Sequence, residues 1–285
     1  MPSSARPVVG VIPAAGKATR LSPLPCSKEL IPIGVHTQPE SIRGRPKVVS
    51  EYLLQEMHAA GAQRVFIVLR EGKFDIPAYF GDGSRLGLKL AYLMMGAPWG
   101  PPFSIAQAAP FAEHATMLLG FPDILVHPAG LFGRLIDRLD ATSADLVLGV
   151  HRMTAGGYAD RVLLDARGRV TRVRLKETAP PPRAGEIGCV QAAWGPRFTR
   201  FLLDETDRLG AWARSGVAGE APDWSISSVF EAAVLAGLHV DSVMLEGARF
   251  LDIGTTAGYA AANSFPGIVQ GGLDHLAPTC PSSEP

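Results

Sequence analysis

VVGVIPAAGKATRL, residues 8–21, combines a short apolar run with a loop of small residues and cations. The apolar half is typical of a strand buried in a sheet, and the Gly-containing half is typical of a loop that leaves the strand. Residues 48–60 then predict a helix closed by Gly61, and residues 64–69 predict a second strand. This β-α-β order indicates helices that cross over a mainly parallel sheet.

The same alternation continues along the chain and ends in a more mixed region. Two strand-like runs flank a turn at Gly168, which predicts a hairpin over residues 161–175. The other predicted elements are strands at 88–93, 115–119, 145–150, 239–245 and 249–251 and helices at 105–113, 129–139, 197–209 and 226–235. Residues 94–103 and 177–185 are Pro/Gly-rich loops, the kind of segment that often contacts ligands. Residues 265–285 predict a loose tail.

Composition excludes several classes of protein. In 285 residues, 27 Lys and Arg balance 27 Asp and Glu, so the basic surplus that favours nucleic acid or acidic membranes is missing. The longest apolar runs fall far short of the roughly 20 residues that cross a bilayer. We therefore expect neither a nucleic-acid nor a membrane partner. The N-terminus shows no signal-peptide pattern, which predicts a cytoplasmic protein. The three cysteines are far apart, so we expect neither a disulfide framework nor a zinc site.

The loop after the first strand has the composition of an anion-binding site. Small side chains at Ala14, Ala15 and Gly16 would let backbone N–H groups approach an anion, and Arg20 and Lys28 would supply positive charge. The loop is a plausible triphosphate site, although it is neither a Walker A loop nor a G-x-G-x-x-G loop. A tight turn with solvated cations is an equally good interpretation of these residues alone.

Several blocks resemble one enzyme family in order. They are G-K-A-T-R-L at 16–21, K-E-L-I-P at 28–32, R-P-K at 45–47 and I-P-A-Y-F-G-D-G at 76–83. Over residues 8–262 the chain resembles the nucleotide-diphospho-sugar pyrophosphorylases, and it is similar to glucose-1-phosphate thymidylyltransferases and bacterial UTP-glucose-1-phosphate uridylyltransferases. The resemblance implies a three-layer α/β/α Rossmann-like domain with a mixed, mostly parallel sheet. This single domain would cover residues 1–264, with a nucleotide-binding part (1–125) and a sugar-phosphate-binding part (126–264).

The resemblance also implies roles for individual residues. Arg20 and Lys28 would be catalytic, and the nucleotide would contact Ala14, Ala15, Gly16, Lys17 and Thr19. Asp123, after a predicted strand, and Asp252, in the block D-I-G-T, would hold Mg²⁺, which prefers oxygen ligands. Each aspartate has a structural alternative: Asp123 as the cap of the next turn, and Asp252 as an Asx-type bond to the loop at Gly254.

The sugar side departs from the family pattern. Lys176 matches the lysine that meets the sugar phosphate, but Leu175 replaces the preceding Glu, and Glu177 is the candidate replacement. A solvated strand end is the alternative for Lys176. Asp160 stands where many relatives have Gly, and we predict that it contributes to sugar-phosphate binding. These departures point to an acceptor other than plain glucose 1-phosphate.

The base side departs as well. Met95 stands near the position of the family's base-binding Gln. Gln107 is either a replacement that contacts the base or an ordinary helix residue. The choice among dTTP, UTP and CTP therefore stays open, and residues 35–43 form an insertion of unassigned role.

The sequence thus predicts a Mg²⁺-dependent nucleotidyltransferase that condenses an NTP, dTTP or UTP favoured, with a sugar 1-phosphate and releases pyrophosphate. Two alternatives remain. One is a cytidylyltransferase for a non-sugar phosphate, and the other is a silent subunit that binds sugar nucleotides. A homo-oligomer is plausible by family resemblance.

Overall fold

Strand β1 (Val8–Pro13) runs through the interior of the main sheet, parallel to β4 (Arg64–Leu69) on one side and β6 (Thr116–Leu119) on the other. Its central apolar residues are buried, as the sequence predicts. The structure, a computed structural model, describes residues 6–16, 18–37, 42–96, 99–153, 160–176, 185–215 and 223–264.

Within these described segments the main sheet has nine strands in a mixed arrangement. Beyond β4 lies β5 (Lys89–Met94), also parallel. On the other side, β11 (Ile187–Trp194) runs antiparallel to β6 and to β8 (Leu146–Arg152), and β8 pairs in parallel with β12 (Val240–Met244). The predicted hairpin is confirmed as β9 (Arg161–Leu164) and β10 (Val170–Arg174).

Helices cover both faces of this sheet. One face carries α1 (Val49–Ala59), α2 (Asp75–Phe80) and α4 (Leu131–Thr142), whose apolar sides fill one core cluster. The other carries α3 (Pro101–Ala108), α5 (Pro196–Arg214) and α6 (Ile226–Leu235), which fill a second. Burying one apolar stripe per helix against each sheet face gives the predicted three-layer α/β/α fold, which is confirmed.

Two short ribbons lie outside the main sheet. One pairs β2 (Pro32–Val35) with β3 (Pro46–Val48), and the other pairs β7 (Ile124–His127) with β13 (Arg249–Asp252). A third apolar cluster, formed by Ile31, Ile33, Val49, Leu125, Ile253 and Ala262, joins the two ribbons. The chain then continues into α7 (Thr256–Ala261).

Several element predictions need correction. Helix α3 begins at Pro101, four residues before the predicted start, because two prolines occupy its first turn, where a missing N–H costs no helical hydrogen bond. The elements predicted from the sequence also omit four strands and two short helices, namely β2, β3, β7, β11, α2 and α7. Residues 38–41 of the insertion, most of the loop at 177–185 and the tail at 265–285 lie outside the described residues. No helix in the described part of the chain is long and apolar enough to span a bilayer.

Lys47, a residue of β3, is buried against α1. Its Nζ donates to Gln55 Oε1 at 2.5 Å and lies 3.6 Å from the centroid of the Tyr52 ring. Burial lowers the pKa of Lys47 to about 8, although Glu51 partly offsets this effect. The unfolded chain keeps the usual pKa of 10.5, so it binds more protons than the folded chain between pH 8 and 10.5.

Because the unfolded state binds more protons in that window, this lysine makes stability rise with pH. We expect the free energy of unfolding in urea to rise by about 1–2 kcal/mol more in the wild type than in Lys47→Met between pH 7.5 and 9.5. Lys89→Met, at an exposed lysine of β5, is the matched control and should follow the wild type. Parallel curves for wild type and Lys47→Met would contradict this account of Lys47.

Candidate functional site

A cavity of about 400 Å³ opens beyond the carboxyl end of β6, between the β7–β13 ribbon and the start of α6. Six residues singled out from the sequence line it together: Arg20, Lys28, Asp123, Asp160, Lys176 and Asp252. Ligands of open α/β sheets usually bind beyond the carboxyl ends of parallel strands. The fold thus brings residues from five separate sequence segments to the position where such a sheet places its site.

The two carboxylates converge because of the β7–β13 ribbon. Asp252, at the end of β13, pairs with Ile124, the neighbour of Asp123, and the N–H of Ile253 donates to the Asp123 carbonyl at 2.9 Å. A Cβ on Gly254 would lie 2.7 Å from Asp123 Oδ2 and 2.9 Å from Asp252 Oδ1. Both carboxylates therefore border one glycine, and only the missing side chain leaves room for them.

This donor set suits Mg²⁺. Mg²⁺ is usually held by one or two carboxylates together with waters and substrate phosphates. In the described segments no group of three or more His, Cys, Asp or Glu side chains converges, so Asp123 and Asp252 would leave most of the coordination to other oxygens. The Asx-type bond from the Gly254 N–H to Asp252 Oδ1 is also present, at 2.8 Å. It leaves Oδ2 of Asp252 facing Arg20.

Lys28 lies beside these carboxylates as a fixed positive charge. Its Nζ donates to Asp123 Oδ2 at 2.6 Å, and both side chains are largely buried. Burial alone lowers the pKa of Lys28, but the carboxylates of Asp123, Glu29 and Asp252 outweigh this and hold the pKa above its usual 10.5. The ammonium form is therefore maintained at neutral pH.

Side chains from segment 73–75 hold the one-turn helix at 28–30. The buried Glu29 accepts two hydrogen bonds from Lys73 Nζ, at 2.7 and 2.9 Å. Asp75 accepts from both the backbone N–H and the hydroxyl of Ser27, each at 2.7 Å. The sequence analysis did not identify these residues, because only the fold brings segment 73–75 against this turn. They fix the direction in which Lys28 points.

Among the described residues of the predicted nucleotide loop (14–16 and 18–20), Arg20 is the one that lines this cavity. The Arg20 side chain is 68% exposed, and its Nη1 lies 3.8 Å from Asp252 Oδ2. Ala14, Ala15, Gly16 and Thr19 lie outside the lining, and the Ala14 N–H is already donated to the Val68 carbonyl at 2.8 Å. Ala14 is therefore not a backbone donor for phosphate. Lys17 lies outside the described residues.

Asp160 connects two parts of the cavity lining, the segment at Lys176 and the start of α6. Its Oδ1 accepts from the backbone N–H of Lys176 at 2.9 Å, and its Oδ2 accepts from the Ser225 hydroxyl, also at 2.9 Å. Ser225 in turn caps α6 by accepting from the Ser227 N–H at 3.2 Å. Asp160 thus holds Lys176 against the start of α6 through both of its oxygens. Glu177 lies outside the described residues.

Gln107 does not contribute to the cavity. It is exposed on α3 and does not line the cavity, which agrees with its interpretation as an ordinary helix residue. Met95 is buried, and its Sδ accepts from the Ser104 hydroxyl at 2.9 Å.

Trp224, which the sequence analysis did not single out, lines the cavity and packs against other aromatic rings. The backbone N–H of Trp224 donates to the Trp99 carbonyl at 3.3 Å. The centroid of the Trp224 ring lies 5.5 Å from that of Phe103 and 5.8 Å from that of Trp212. Gly100 makes this packing possible, because a Cβ there would overlap the Trp224 carbonyl and its φ is +97°. Three of the four tryptophans, Trp99, Trp212 and Trp224, lie in or near Gly-containing segments of the sequence, which was the signal for this aromatic packing.

Comparisons with known proteins agree with the resemblance seen in the motifs. No family model matches the chain. It is 23% identical to the low-salt glycan biosynthesis nucleotidyltransferase Agl11 of Haloferax volcanii over 84% of this chain and 60% of that protein. It is also 29% identical to the mannose-1-phosphate guanylyltransferase of Mycobacterium tuberculosis over 64% of this chain and 48% of that protein. The chain thus spans less than two thirds of the length of these curated relatives.

Solved structures confirm the fold. A Bacillus anthracis protein proposed to be a glucose-1-phosphate thymidylyltransferase, crystallised with sucrose, superposes with a TM-score of 0.71 at 12% identity, covering 90% of this chain and 94% of that one. The UTP-bound UGPase of Acinetobacter baumannii gives 0.64 at 14% identity, covering 93% and 96%. The chain therefore resembles nucleotidyltransferases in sequence and shares the fold of these solved structures.

Proposed function

We infer that this chain, which resembles the nucleotide-diphospho-sugar pyrophosphorylases in sequence and fold, is a sugar-phosphate nucleotidyltransferase. The observation that carries this conclusion is the convergence of three cations, Arg20, Lys28 and Lys176, with the carboxylate pair Asp123 and Asp252 around one cavity. Such a site suits two phosphorylated substrates, because each phosphate group needs neutralising charge when it is brought close to another.

The reaction balances without a protein nucleophile. An oxygen of the sugar 1-phosphate forms a bond to the α-phosphorus of an NTP, the bond from that phosphorus to the bridging oxygen of the β-phosphate breaks, and pyrophosphate leaves with the electron pair. A phosphate monoester has a second pKa of about 6, so the attacking oxygen is already deprotonated near neutral pH and needs no general base.

The residues act by positioning and by charge. Lys28, fixed between Asp123 and the Glu29–Lys73 pair, would contact the α-phosphate, where charge develops. Arg20, on its exposed loop, would neutralise the leaving pyrophosphate, and Lys176 would hold the sugar phosphate. Mg²⁺ bound by Asp123 and Asp252 would supply further charge neutralisation to the phosphate oxygens.

We propose dTTP or UTP as the donor, which is supported by the fold shared with a UTP-bound structure. The guanylyltransferase among the relatives makes GTP the main competitor. Met95 stands near the position where the resemblance implies a base-binding Gln, and it lacks the amide of Gln. We therefore propose that the base contact differs from the family pattern.

The test is pyrophosphate release by purified protein with Mg²⁺, for all five common NTPs against a panel of sugar 1-phosphates and phosphocholine. We expect release to require both substrates and to select one base. If phosphocholine were the one acceptor that supported pyrophosphate release, the result would favour cytidylyl transfer to a non-sugar phosphate instead. Binding of a sugar nucleotide that persists in EDTA, without release from any pair, would indicate a silent binding subunit.

Gly254 offers a test of the carboxylate geometry. In Gly254→Ala the new methyl group would force Asp123 and Asp252 apart, so we expect pyrophosphate release to fall by about 100-fold and the Mg²⁺ concentration at half-maximal rate to rise. Gly133→Ala, in α4 with open space around its Cβ position, is the matched control and should keep full activity. Unchanged Mg²⁺ dependence in Gly254→Ala would contradict the assignment of this pair to the metal.

A further inference from the structure

Gln191 on β11 is a buried polar residue that lines the cavity and has no role in the reaction described above. It is 5% exposed, and its Oε1 is sealed from solvent without a hydrogen-bond partner. Among the described residues, Arg161 Nε is the other buried side-chain nitrogen or oxygen without a hydrogen-bond partner.

Its surroundings make this amide costly to keep. The residues that follow it, Ala192, Ala193 and Trp194, are fully or almost fully buried in the apolar clusters. A buried acceptor without a partner destabilises a fold, and an apolar side chain of similar shape is usually neutral or better. Local choices that cost stability are expected at functional sites.

Strand β11 brings Gln191 into the lining of the cavity. Along β11, Gly188 pairs with Arg161, next to Asp160, and Ala192 pairs with Leu119, shortly before Asp123. Gln191 therefore lies between the sugar-phosphate corner and the carboxylate pair. The β11–β8 register shifts between Cys189 and Gln191, and such irregularities beside active sites change the direction of a side chain.

Other residues of the cavity lining suit a sugar ring. Trp224 and Phe230 offer apolar faces, and Ser225 and Ser227 offer hydroxyls. Apolar faces beside a few well-placed hydroxyls are the kind of groups that orient a small ligand. A ring hydroxyl both donates and accepts, so it can satisfy an amide in either orientation.

We propose that Gln191 is a specificity-determining residue, whose side-chain amide hydrogen-bonds a ring hydroxyl of the sugar-phosphate acceptor. The inference rests on the proposed function and extends it: the acceptor is a pyranosyl phosphate that keeps a hydroxyl at this position, and a sugar deoxygenated there is a poor substrate. A site built around such a bond rejects the analogue that lacks the hydroxyl, because the amide is then left unpaired.

The test compares the wild type with Gln191→Leu. The probes are glucose 1-phosphate, mannose 1-phosphate and their monodeoxy analogues, with the NTP that gives the most pyrophosphate release. We expect Gln191→Leu to lower kcat/KM for the hydroxylated acceptor about 10- to 100-fold, with the KM for the NTP unchanged. For one monodeoxy analogue, wild type and variant should have the same kcat/KM.

Stability provides a second readout that a merely structural role would move in the opposite direction. Because Gln191→Leu removes an unsatisfied buried group, we expect its Tm to equal or exceed that of the wild type. Gln63→Leu, at an exposed glutamine outside the cavity, is the matched control and should match the wild type in every assay.

Two results would overturn this inference. One is an acceptor kcat/KM within twofold of the wild type in a Gln191→Leu protein that still turns over. The other is a change confined to the KM for the NTP, which would place the amide against the nucleotide. If the wild type released no pyrophosphate, the proposed function would fail separately. Calorimetric titration of the same sugar phosphates would then test Gln191. Equal affinities for wild type and variant would refute the proposed role of Gln191.

Discussion

Lys28→Met is expected to lower the rate of pyrophosphate release by about 100- to 1000-fold. The lysine is largely buried, its Nζ lies 2.6 Å from Asp123 Oδ2, and the surrounding carboxylates raise its pKa above the usual value. A cation in this environment is preorganised, so it stabilises developing phosphate charge without reorganisation of solvent. We expect the loss to appear in kcat more than in KM, because the charge grows as the α-phosphorus is attacked.

The raised pKa also predicts the pH profile. Because the pKa of Lys28 is held above its usual value, Lys28 should contribute no alkaline decline of kcat/KM between pH 7 and 9.5. Lys89→Met, at an exposed lysine on the edge strand β5, removes the same charge from the chain and should leave the rate unchanged. A Lys28→Met protein that kept a third of the wild-type rate would exclude this lysine from the chemistry.

Asp123→Asn should be comparably severe in its effect on activity. Asp123 is one of the two carboxylates that border Gly254, and it is also the partner of Lys28. Its replacement would weaken the proposed metal site and release Lys28, so we expect release of pyrophosphate to fall by at least about 1000-fold. We also expect a loss of stability of about 1–3 kcal/mol, because a largely buried ammonium loses its carboxylate.

The double variant Lys28→Met/Asp123→Asn separates these two effects. Removing both charges should restore most of the stability lost in Asp123→Asn, because no unpaired charge then remains, while activity stays as low as in the worse single variant. Unfolding in urea and pyrophosphate release, measured on all four proteins, complete the cycle. Additive losses of stability would show that the pair does not act as a unit, and recovery of activity would contradict the proposed roles of both residues.

Much of the main sheet could be predicted because strands such as β1 and β4 are continuous apolar runs between clear turn signals. β7 could not, since its four residues lie between Pro122 and Pro128 and carry little periodic signal. The sequence does not predict the start of α3, because a Pro-Pro pair usually indicates a loop. Pro101 and Pro102 are compatible with the helix since they occupy its first turn.

The site could be predicted only in part, for a related reason. The motifs identified the charged residues that line the cavity with the exception of Asp223, but motifs carry no information about what lies behind them. Glu29, Lys73 and Asp75 fix Lys28 through contacts across more than 40 residues of sequence, and only the fold shows them. Gln191 did leave a signal that was not used, as a single amide in the otherwise small or apolar run C-V-Q-A-A-W at 189–194.

The loop after β1 shows where a local interpretation was incomplete. Small residues at 14–16 suggested backbone donors for phosphate, yet the Ala14 N–H continues the sheet by bonding to Val68. In the structure, the charge of this loop reaches the cavity through Arg20.

The measurement that tests the central claim most directly is the fate of oxygen in a single turnover. The acceptor is a sugar 1-phosphate with ¹⁸O at its non-bridging phosphate oxygens, and the products are analysed by mass spectrometry after reaction with the preferred NTP and Mg²⁺. If the sugar phosphate attacks the α-phosphorus, all of the label is found in the nucleotide sugar and none in pyrophosphate. Label in pyrophosphate, or formation of unlabelled nucleoside monophosphate in place of a nucleotide sugar, would contradict nucleotidyl transfer to the sugar phosphate at this site.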